Sequence, residues 1–313
     1  MCLIALFPGQ GSQAVGMLSD FQGECPEIEE TFSEASESLG YDLWAITQDG
    51  PIDRLSLTEI TQPLLLTAGV ALFRAWIGRD GQMPAYLAGH SLGEYTALTA
   101  SGSFSLADAV RLVRLRGRFM QDAVPKDLGA MAAVIGLDDG TVERVCTAVA
   151  ISEGQVIEAV NYNAPGQIVI AGHASAIRVA LPQLKDAGAK RAILLPVSAP
   201  FHCALMRPAA ERLQTELDAI RVKSPAVPVI QNVSIQPETE VAQIRAQLIK
   251  QIFSPIRWKQ VVGTFESLGV SKAIEFGPGT VLCGLAKRIQ SPATHWPSST
   301  FEQFNRALRE VVA

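Results

Sequence analysis

The sequence predicts an α/β fold built on a parallel sheet and interrupted by a smaller α+β subdomain, and three observations carry that expectation. Short apolar, strand-like runs alternate with longer helical stretches. From residue 129 to 197 the rhythm changes to strand–helix–strand–strand–helix–strand, the order of a ferredoxin-like motif. Composition permits both: 313 residues, 48% apolar and 18% charged, fit one large or two smaller domains with a sizeable core and exclude a disordered chain or a coiled coil.

In chain order, Leu3–Phe7 reads as a first buried strand and Glu59–Trp76 as a largely buried helix. Ala85–Gly89 is a second strand, followed by a helix from Leu92 and another over Ser105–Gln121. The inserted segment gives strand Ala130–Gly136, helix Gly140–Ala150, strands Val156–Asn161 and Gln167–Ala171 joined by the turn Asn163–Ala164–Pro165–Gly166, helix Ser175–Ala187 and strand Arg191–Val197. Strands Val227–Val233 and Lys272–Phe276 follow, with helices Leu205–Ile220, Val241–Ile252, Trp258–Leu268 and Val281–Ile289. The last twenty residues read as a loop and a terminal helix. The expected division is a discontinuous large domain, 1–126 with 199–313, around a small one, 127–198.

Charge and cysteine usage narrow the function classes. A formal net charge of −5 gives no whole-molecule attraction to nucleic acid or anionic lipid. The N-terminus lacks a basic leader before its short apolar run, and the longest apolar stretch, Pro63–Phe73, stops at Arg74, short of a membrane span. Five scattered cysteines without a CxxC pair suit thiols in a reducing cytoplasm better than a disulfide frame or a zinc site.

The sharpest chemical motif is Gly89–His90–Ser91–Leu92–Gly93, a G-x-S-x-G between strand and helix. Its glycines permit a tight turn that lifts the serine hydroxyl clear of the sheet, and the Leu92 N–H and the helix N-terminus then face any oxyanion formed there. A serine needs a base. Of the four histidines, His90 adjoins the serine and should point away, His173 lies beside a turn of the small subdomain, and His295 sits in the Pro/Ser-rich tail. Elimination leaves His202, at the seam where the subdomain rejoins the large domain. The first loop, Gly9–Gln10–Gly11–Ser12–Gln13–Ala14, satisfies a dinucleotide fingerprint, but Pro8 and the position of Glu29 and Glu30 in a polar helical stretch argue against it. The loop instead offers Gln10 as an oxyanion donor.

Arg116 is the most informative single residue. At about 100° per residue, Leu106, Ala109, Val113 and Met120 share one helix face while Arg111, Arg114 and Arg118 gather opposite. Arg116 alone falls inside the apolar arc. A buried guanidinium keeps its charge and needs a partner, either a structural carboxylate or the carboxylate of a substrate.

Six ordered stretches then resemble one family: FPGQGSQ (7–13), GHSLGEY (89–95), RLVRLRGRFMQ (111–121), NYNAPGQ (161–167), VSAPFHCALM (197–206) and FGPG (276–279). Over nearly the whole chain the sequence resembles the malonyl-CoA:acyl carrier protein transacylases of bacterial fatty-acid synthesis. The resemblance implies an α/β-hydrolase-like parallel-sheet domain with an inserted ferredoxin-like subdomain. It implies Ser91 as the acylated nucleophile and His202 as its base, with Gln10 and the Leu92 N–H forming the oxyanion hole. Arg116 would bind the malonyl carboxylate, and the main-chain carbonyl of Gln251 would orient the histidine. Phe201 occupies a position that varies between small and aromatic residues in the family and bears on acyl preference.

The function expected is two-step transfer of a malonyl group from malonyl-CoA to acyl carrier protein in the cytoplasm, by a monomer, with no metal or other cofactor beyond the coenzyme A thioester itself. A polyketide pathway uses the same chemistry. A serine hydrolase is the rival enzyme, although the acids weighed for its triad, Asp138, Asp139, Glu143, Glu153, Glu158 and Asp186, all fall in the inserted segment. A non-catalytic carrier-binding module is the third possibility. Lys250, Arg257, Lys259, Lys287 and Arg288 are candidates for a basic carrier-facing patch, although solvated helix ends carry such residues commonly.

Overall fold

The computed structural model of the chain describes residues 2–197 and 199–312. Ser198, the last residue of the expected small subdomain and the second of the VSAPFHCALM stretch, lies outside the described residues. β1 (Cys2–Phe7) is buried from Leu3 onward, as a strand covered on both faces must be. α1 (Pro26–Leu39) begins with Pro26, where a missing N–H has no cost, and stops at Gly40 in the left-handed region (φ 76°). α2 (Leu43–Asp49) is capped by the Asp42 carboxylate, which accepts the Ala45 N–H, and the single turn α3 (Ile52–Leu55) leads to α4 (Thr58–Gly78).

α4 covers the expected helix Glu59–Trp76 and runs one residue further at its start and two at its end. Arg74, which closes the apolar stretch, reaches out to Glu34 and Thr31 on α1, at 2.8 and 3.1 Å. By length and composition α4 is the one helix among the described residues able to cross a membrane, yet 89% of its most apolar window is buried inside the protein. It is a buried helix of the main core.

β2 (Tyr86–Gly89) pairs parallel with β1, and α5 (Leu92–Ala100) and α6 (Leu106–Asp122) follow. Ser105 caps α6 by accepting the Asp108 N–H at 3.1 Å. Next come β3 (Gly129–Ile135), α7 (Asp139–Glu153), β4 (Ile157–Ala164), β5 (Gln167–His173), α8 (Ala174–Asp186) and β6 (Arg191–Leu194). These strands make a separate antiparallel sheet in the order β4-β5-β3-β6. One face of this sheet, with Val134, Val142, Ile170, Ile177 and Leu184, builds a cluster of its own, whereas Met131, Val160, Val169 and Ala171 on its strands join the main core. The expected four-residue turn shrinks to Pro165–Gly166, because β4 pairs as far as Ala164. β6 stops at Leu194; the Leu195 N–H still donates to Met131 O on β3 at 2.9 Å, and the expected strand does not continue through Val197.

The chain returns through α9 (Arg207–Ala219), β7 (Val229–Ile230), β8 (Pro237–Glu238), α10 (Val241–Ile252), α11 (Trp258–Gly263), β9 (Val270–Glu275), α12 (Val281–Ile289), β10 (Thr294–Pro297) and α13 (Phe301–Val312). The expected strand Val227–Val233 contracts to the two residues of β7, which pair with β8. The helix expected over Trp258–Leu268 ends at Gly263, and the tail contains the extra strand β10. The large sheet has the order β10-β9-β1-β2-β7-β8, parallel except for β8.

Alternate residues of β1 serve opposite faces, the period of a strand. Leu3, Ala5 and Phe7 join the core under α1, α4, α5 and α6, whereas Ile4 and Leu6 pack with Trp258, Phe265 and Leu282. The small sheet is tied to the large domain where Ile256 donates to Val160 O at 2.7 Å and accepts from Tyr162 N at 2.9 Å. An Asp139–Lys259 ion pair reinforces that seam, which removes Lys259 from any free basic patch.

Pairing of Phe7 with Gly89 sets the carboxyl ends of β1 and β2 side by side, so the loops leaving them share one crevice. α5 starts against that edge with no room to spare: a Cβ on Gly93 would lie 2.0 Å from Phe7 O. Gly93→Ala is therefore expected to destabilise the protein by more than about 3 kcal/mol. Thermal denaturation checks this, and an unchanged midpoint would contradict the close approach.

Candidate active site

The strand-to-helix turn predicted around Ser91 is present. β2 ends at Gly89, α5 begins at Leu92, and Ser91 between them adopts φ 53° and ψ −104°, a strained geometry that persists only where its surroundings enforce it. Gly89 is required as well, since a Cβ there would lie 1.9 Å from the Gly93 carbonyl carbon. A residue not anticipated from sequence enforces the turn. Asn232, just after β7 and fully buried, accepts the Ser91 N–H at 2.8 Å and donates to Gly89 O at 2.7 Å. One side-chain amide thus bridges both limbs of the elbow.

His202, itself at φ 65°, places Nε2 2.7 Å from Ser91 Oγ. Its Nδ1 lies 2.9 Å from the main-chain carbonyl of Gln251. A carbonyl only accepts, so Nδ1 carries the proton and Nε2 is left to accept from the serine hydroxyl. Burial, followed by the nearby Arg116 charge, pushes the imidazole down to about 3, against the pull of its bond to Gln251. It therefore rests neutral, the form a base requires. The other histidines are engaged elsewhere. His90 meets Asn163 Oδ1 at 2.8 Å, His173 Nδ1 accepts the Val156 N–H, and His295 meets Ser291 Oγ at 2.8 Å beside the Phe265 ring.

Arg116 is 1% exposed. Its Nη1 donates to Gln62 Oε1 at 2.8 Å, and Nη2 donates to Gln251 Oε1 at 2.9 Å and Ser91 Oγ at 3.2 Å. The guanidinium carbon lies 5.0 Å from the centre of the Tyr95 ring, and Nε has no partner. Among the described residues no carboxylate forms an ion pair with it. Of the two partners open from sequence, the structural acid is thus absent from direct contact.

Gln251, fully buried in the last turn of α10, touches all three groups. Besides holding His202 and Arg116, its Nε2 donates to Ser91 O and to Glu94 Oε2, both at 3.0 Å. Glu94 is a carboxylate that sequence reasoning passed over, although it too lies between Ser91 and His202 in the chain. It is completely buried, and Oε2 also accepts the Asn232 N–H at 2.8 Å. Burial pushes it up to about 7 against those hydrogen bonds and the Arg116 charge. Its place in a helix's first turn reads as ordinary dipole complementation, which hid it.

Gln10 joins the site indirectly, its Oε1 accepting from Gln62 Nε2 at 3.4 Å. Gln62 closes the polar opening of α4, after Thr58, Glu59 and Thr61, so its burial left no break in the sequence pattern. Leu92 opens α5, where the helix itself provides no acceptor for its N–H. Gln10, Ser91 and His202 open onto a cleft of about 440 Å³ walled by Met131, Leu195 and Phe201, a size suited to a small organic ligand.

This arrangement can generate a serine alkoxide equivalent beside a fixed cation, in a cleft with a polar floor. Its likeness to known proteins is extensive. The model of the acyl transferase domain family matches residues 5–279. The malonyl CoA-acyl carrier protein transacylase of Salmonella typhimurium is 54% identical over 289 residues, 92% of this chain and 93% of its own length. That of Bacillus subtilis is 45% identical, over 91% of this chain and 89% of its own. The solved structure of the malonyl CoA-acyl carrier protein transacylase from Coxiella burnetii superposes with a TM-score of 0.97 at 44% identity, covering 100% of this chain and 98% of that one. The chain therefore belongs to the acyl transferase family and, within it, to the malonyl CoA-acyl carrier protein transacylases.

Proposed function

We propose that this chain transfers a malonyl group from malonyl-CoA to the phosphopantetheine thiol of acyl carrier protein through a malonyl-Ser91 intermediate, supplying fatty-acid chain elongation. The observation that supports it most strongly is the buried Arg116 guanidinium 3.2 Å from Ser91 Oγ, held by neutral oxygens alone. A malonyl group on Ser91 carries a carboxylate only a few bonds from the ester oxygen, within reach of that cation. An acetyl group leaves the cation as it was.

In the first half-reaction Ser91 Oγ attacks the thioester carbonyl carbon while its proton passes to His202 Nε2. The oxyanion forms against Gln10 and the Leu92 N–H. The C–S bond then breaks, and coenzyme A leaves with the proton from His202. In the second, His202 takes the proton of the incoming pantetheine thiol, whose sulfur attacks malonyl-Ser91, and Ser91 recovers a proton. Gln251 O holds the imidazole in the required tautomer. Each proton transfer is made by this chain's own groups, so the only small molecule the scheme draws on is the coenzyme A thioester substrate.

The finer architectural reading follows the same line: residues 127–198 form a ferredoxin-like insertion in an α/β-hydrolase-like domain comprising 1–126 and 199–313. The strand order β4-β5-β3-β6 and the cluster built on one face of the small sheet support it. Phe201, in the cleft wall, tunes acyl preference. The protein works as a monomer in the cytoplasm. One observation favours a second carrier. A malonyl-transacylase solved in complex with its type II PKS acyl-carrier protein has a TM-score of 0.97 and 45% identity to this chain, so a polyketide carrier competes for the acceptor role.

Intact mass after exposure to malonyl-CoA tests the scheme. One malonyl group should stay on the protein, vanish in Ser91→Ala, and leave on addition of holo acyl carrier protein. Rapid release of free malonate without carrier would support a hydrolase instead, and no mass gain would leave only a binding module. Arg116→Ala should cost malonyl transfer about 10³-fold or more while acetyl transfer changes far less, narrowing a discrimination that such sites can raise to about 10⁴; competition between the two thioesters measures it. Because His202 sits at about 3 in the free protein, it stays unprotonated down to acidic pH. The acylation rate constant per unit malonyl-CoA, measured well below saturation, should therefore fall only well below the ordinary histidine value of about 6.5. An acid limb at or above that value in quenched-flow rates would contradict the assignment.

A further inference from the structure

The mechanism leaves one buried ionisable group unused. Glu94 lies one residue-length behind Arg116: Arg116 Nη2 donates to Gln251 Oε1, and Gln251 Nε2 donates to Glu94 Oε2. Among the described residues it is the carboxylate joined to the guanidinium through a single side chain. The two oxygens of Glu94 differ sharply. Oε2 holds two donors, Asn232 N and Gln251 Nε2, whereas Oε1 is buried with none.

In the resting site, one fixed positive charge and one buried carboxylate balance. A malonyl group, as assigned under the proposed function on which this inference rests, brings a second carboxylate to the same guanidinium. The enclosed site would then hold two negative charges against one positive charge, with one carboxylate oxygen undonated in a medium that solvates charge poorly. Of the two acids, the substrate's is bound directly by the guanidinium and stays ionised. The resident one is displaced from its share of that charge.

We propose that Glu94 is the resident counter-charge of Arg116 and takes up a proton from solvent, on Oε1, when the malonyl carboxylate binds. The step is a simple addition of one solvent proton to one carboxylate, reversed when the acyl group departs. Among the ionisable groups around Glu94, Arg116 on α6 lowers its proton affinity, and Tyr95 on α5 feels both. His202 senses Arg116 and His90, whereas Gln251, Gln62 and Asn232 contribute only neutral dipoles. The resting position of Glu94 near neutrality, about 7, makes the exchange inexpensive at working pH. Glu94 acts here through Arg116 and is a positioning residue, setting how strongly the site favours a dicarboxylic acyl group as pH changes.

The test is calorimetric titration of the Ser91→Ala protein with malonyl-CoA and with acetyl-CoA, in two buffers of different ionisation enthalpy. Malonyl-CoA should take up about one proton at about pH 8 and close to none at about pH 6, because Glu94 is already protonated there. Acetyl-CoA, which carries the same coenzyme, should take up measurably less at every pH. The malonyl-CoA dissociation constant should rise by up to about tenfold per pH unit above neutrality. Glu94→Gln, whose amide oxygen can still accept from Asn232 and Gln251, should abolish both the difference and the pH slope; a purely structural role would weaken binding without removing the proton. Equal proton counts for the two thioesters overturn the proposal even if Glu94→Gln does not fold, and an unchanged count in Glu94→Gln assigns the proton to another group. Malonylation of Ser91 by mass, without any malonyl-dependent proton, would overturn this inference alone; absence of malonylation would overturn the transferase reading.

Discussion

A guanidinium buried beside a nucleophile constrains everything packed around it. Arg116 cannot discard its charge, and isolated burial of a full charge is far more costly than any single hydrogen bond can offset. The protein surrounds it with carbonyl oxygens of Gln62 and Gln251, the Ser91 hydroxyl and the face of Tyr95. Each stabilises a cation, and none neutralises it. A resident Asp or Glu in direct contact would satisfy the charge permanently and repel an arriving carboxylate. Neutral acceptors leave the cation solvated by dipoles but still electrostatically unsaturated, which is the condition for selecting an anionic acyl group. The carboxylate that does balance the charge, Glu94, is held at one remove, with Gln251 between.

The same constraint accounts for a histidine beside Ser91 that has a carbonyl rather than an acid behind it. In a Ser-His-Asp arrangement the carboxylate orients the imidazole and stabilises its cation. Here the Arg116 charge already stands close enough to His202 to oppose its protonation, and a carboxylate at Nδ1 would be drawn into pairing with the arginine. The Gln251 carbonyl supplies orientation without a formal charge. Because it belongs to the last turn of α10, it also lies at the negative end of a helix dipole, which gives partial compensation to an imidazolium formed during reaction. One residue therefore fixes the tautomer through its backbone and the cation through its side chain, and an apolar residue in place of Gln251 would keep the first and lose the second.

How much of this was legible in sequence depends on whether the determinant was local. The elbow was legible because glycine spacing and strand–helix context are local, and Arg116 because a single charged residue in an apolar helical arc breaks a periodicity. The helix bounds Val241–Ile252 and Val281–Ile289 coincide with the structure for the same reason. Asn232, Gln62 and Glu94 were not legible. Asn232 follows a two-residue strand whose length is decided by its partner β8, and its two bonds reach across more than a hundred residues to Ser91 and Gly89. Glu94 imitates an ordinary N-terminal helix acid. The site's ionic balance is a tertiary property, and only the cation's half of it left a pattern in the chain. The brevity of β7, inside the expected strand Val227–Val233, and the strand β10 escaped similarly, since pairing with neighbours rather than alternation of residue types defines them.

The two-sheet architecture bears on why such a site would transfer an acyl group rather than hydrolyse it. Nothing about the serine, its base or the oxyanion donors distinguishes a thiol acceptor from water. The distinction must come from which nucleophile reaches the acyl carbon. The small sheet provides Met131, and the segment after β6 provides Leu195, to the cleft over Ser91, with Phe201 beside His202. Backbone bonds at Ile256 and the His90–Asn163 contact hold that sheet against the elbow, so the apolar wall is fixed relative to the nucleophile rather than hung from a loose linker. The elbow beneath treats thiol and water alike, so any difference between them as acceptors has to be built on this wall, which the small sheet holds over Ser91.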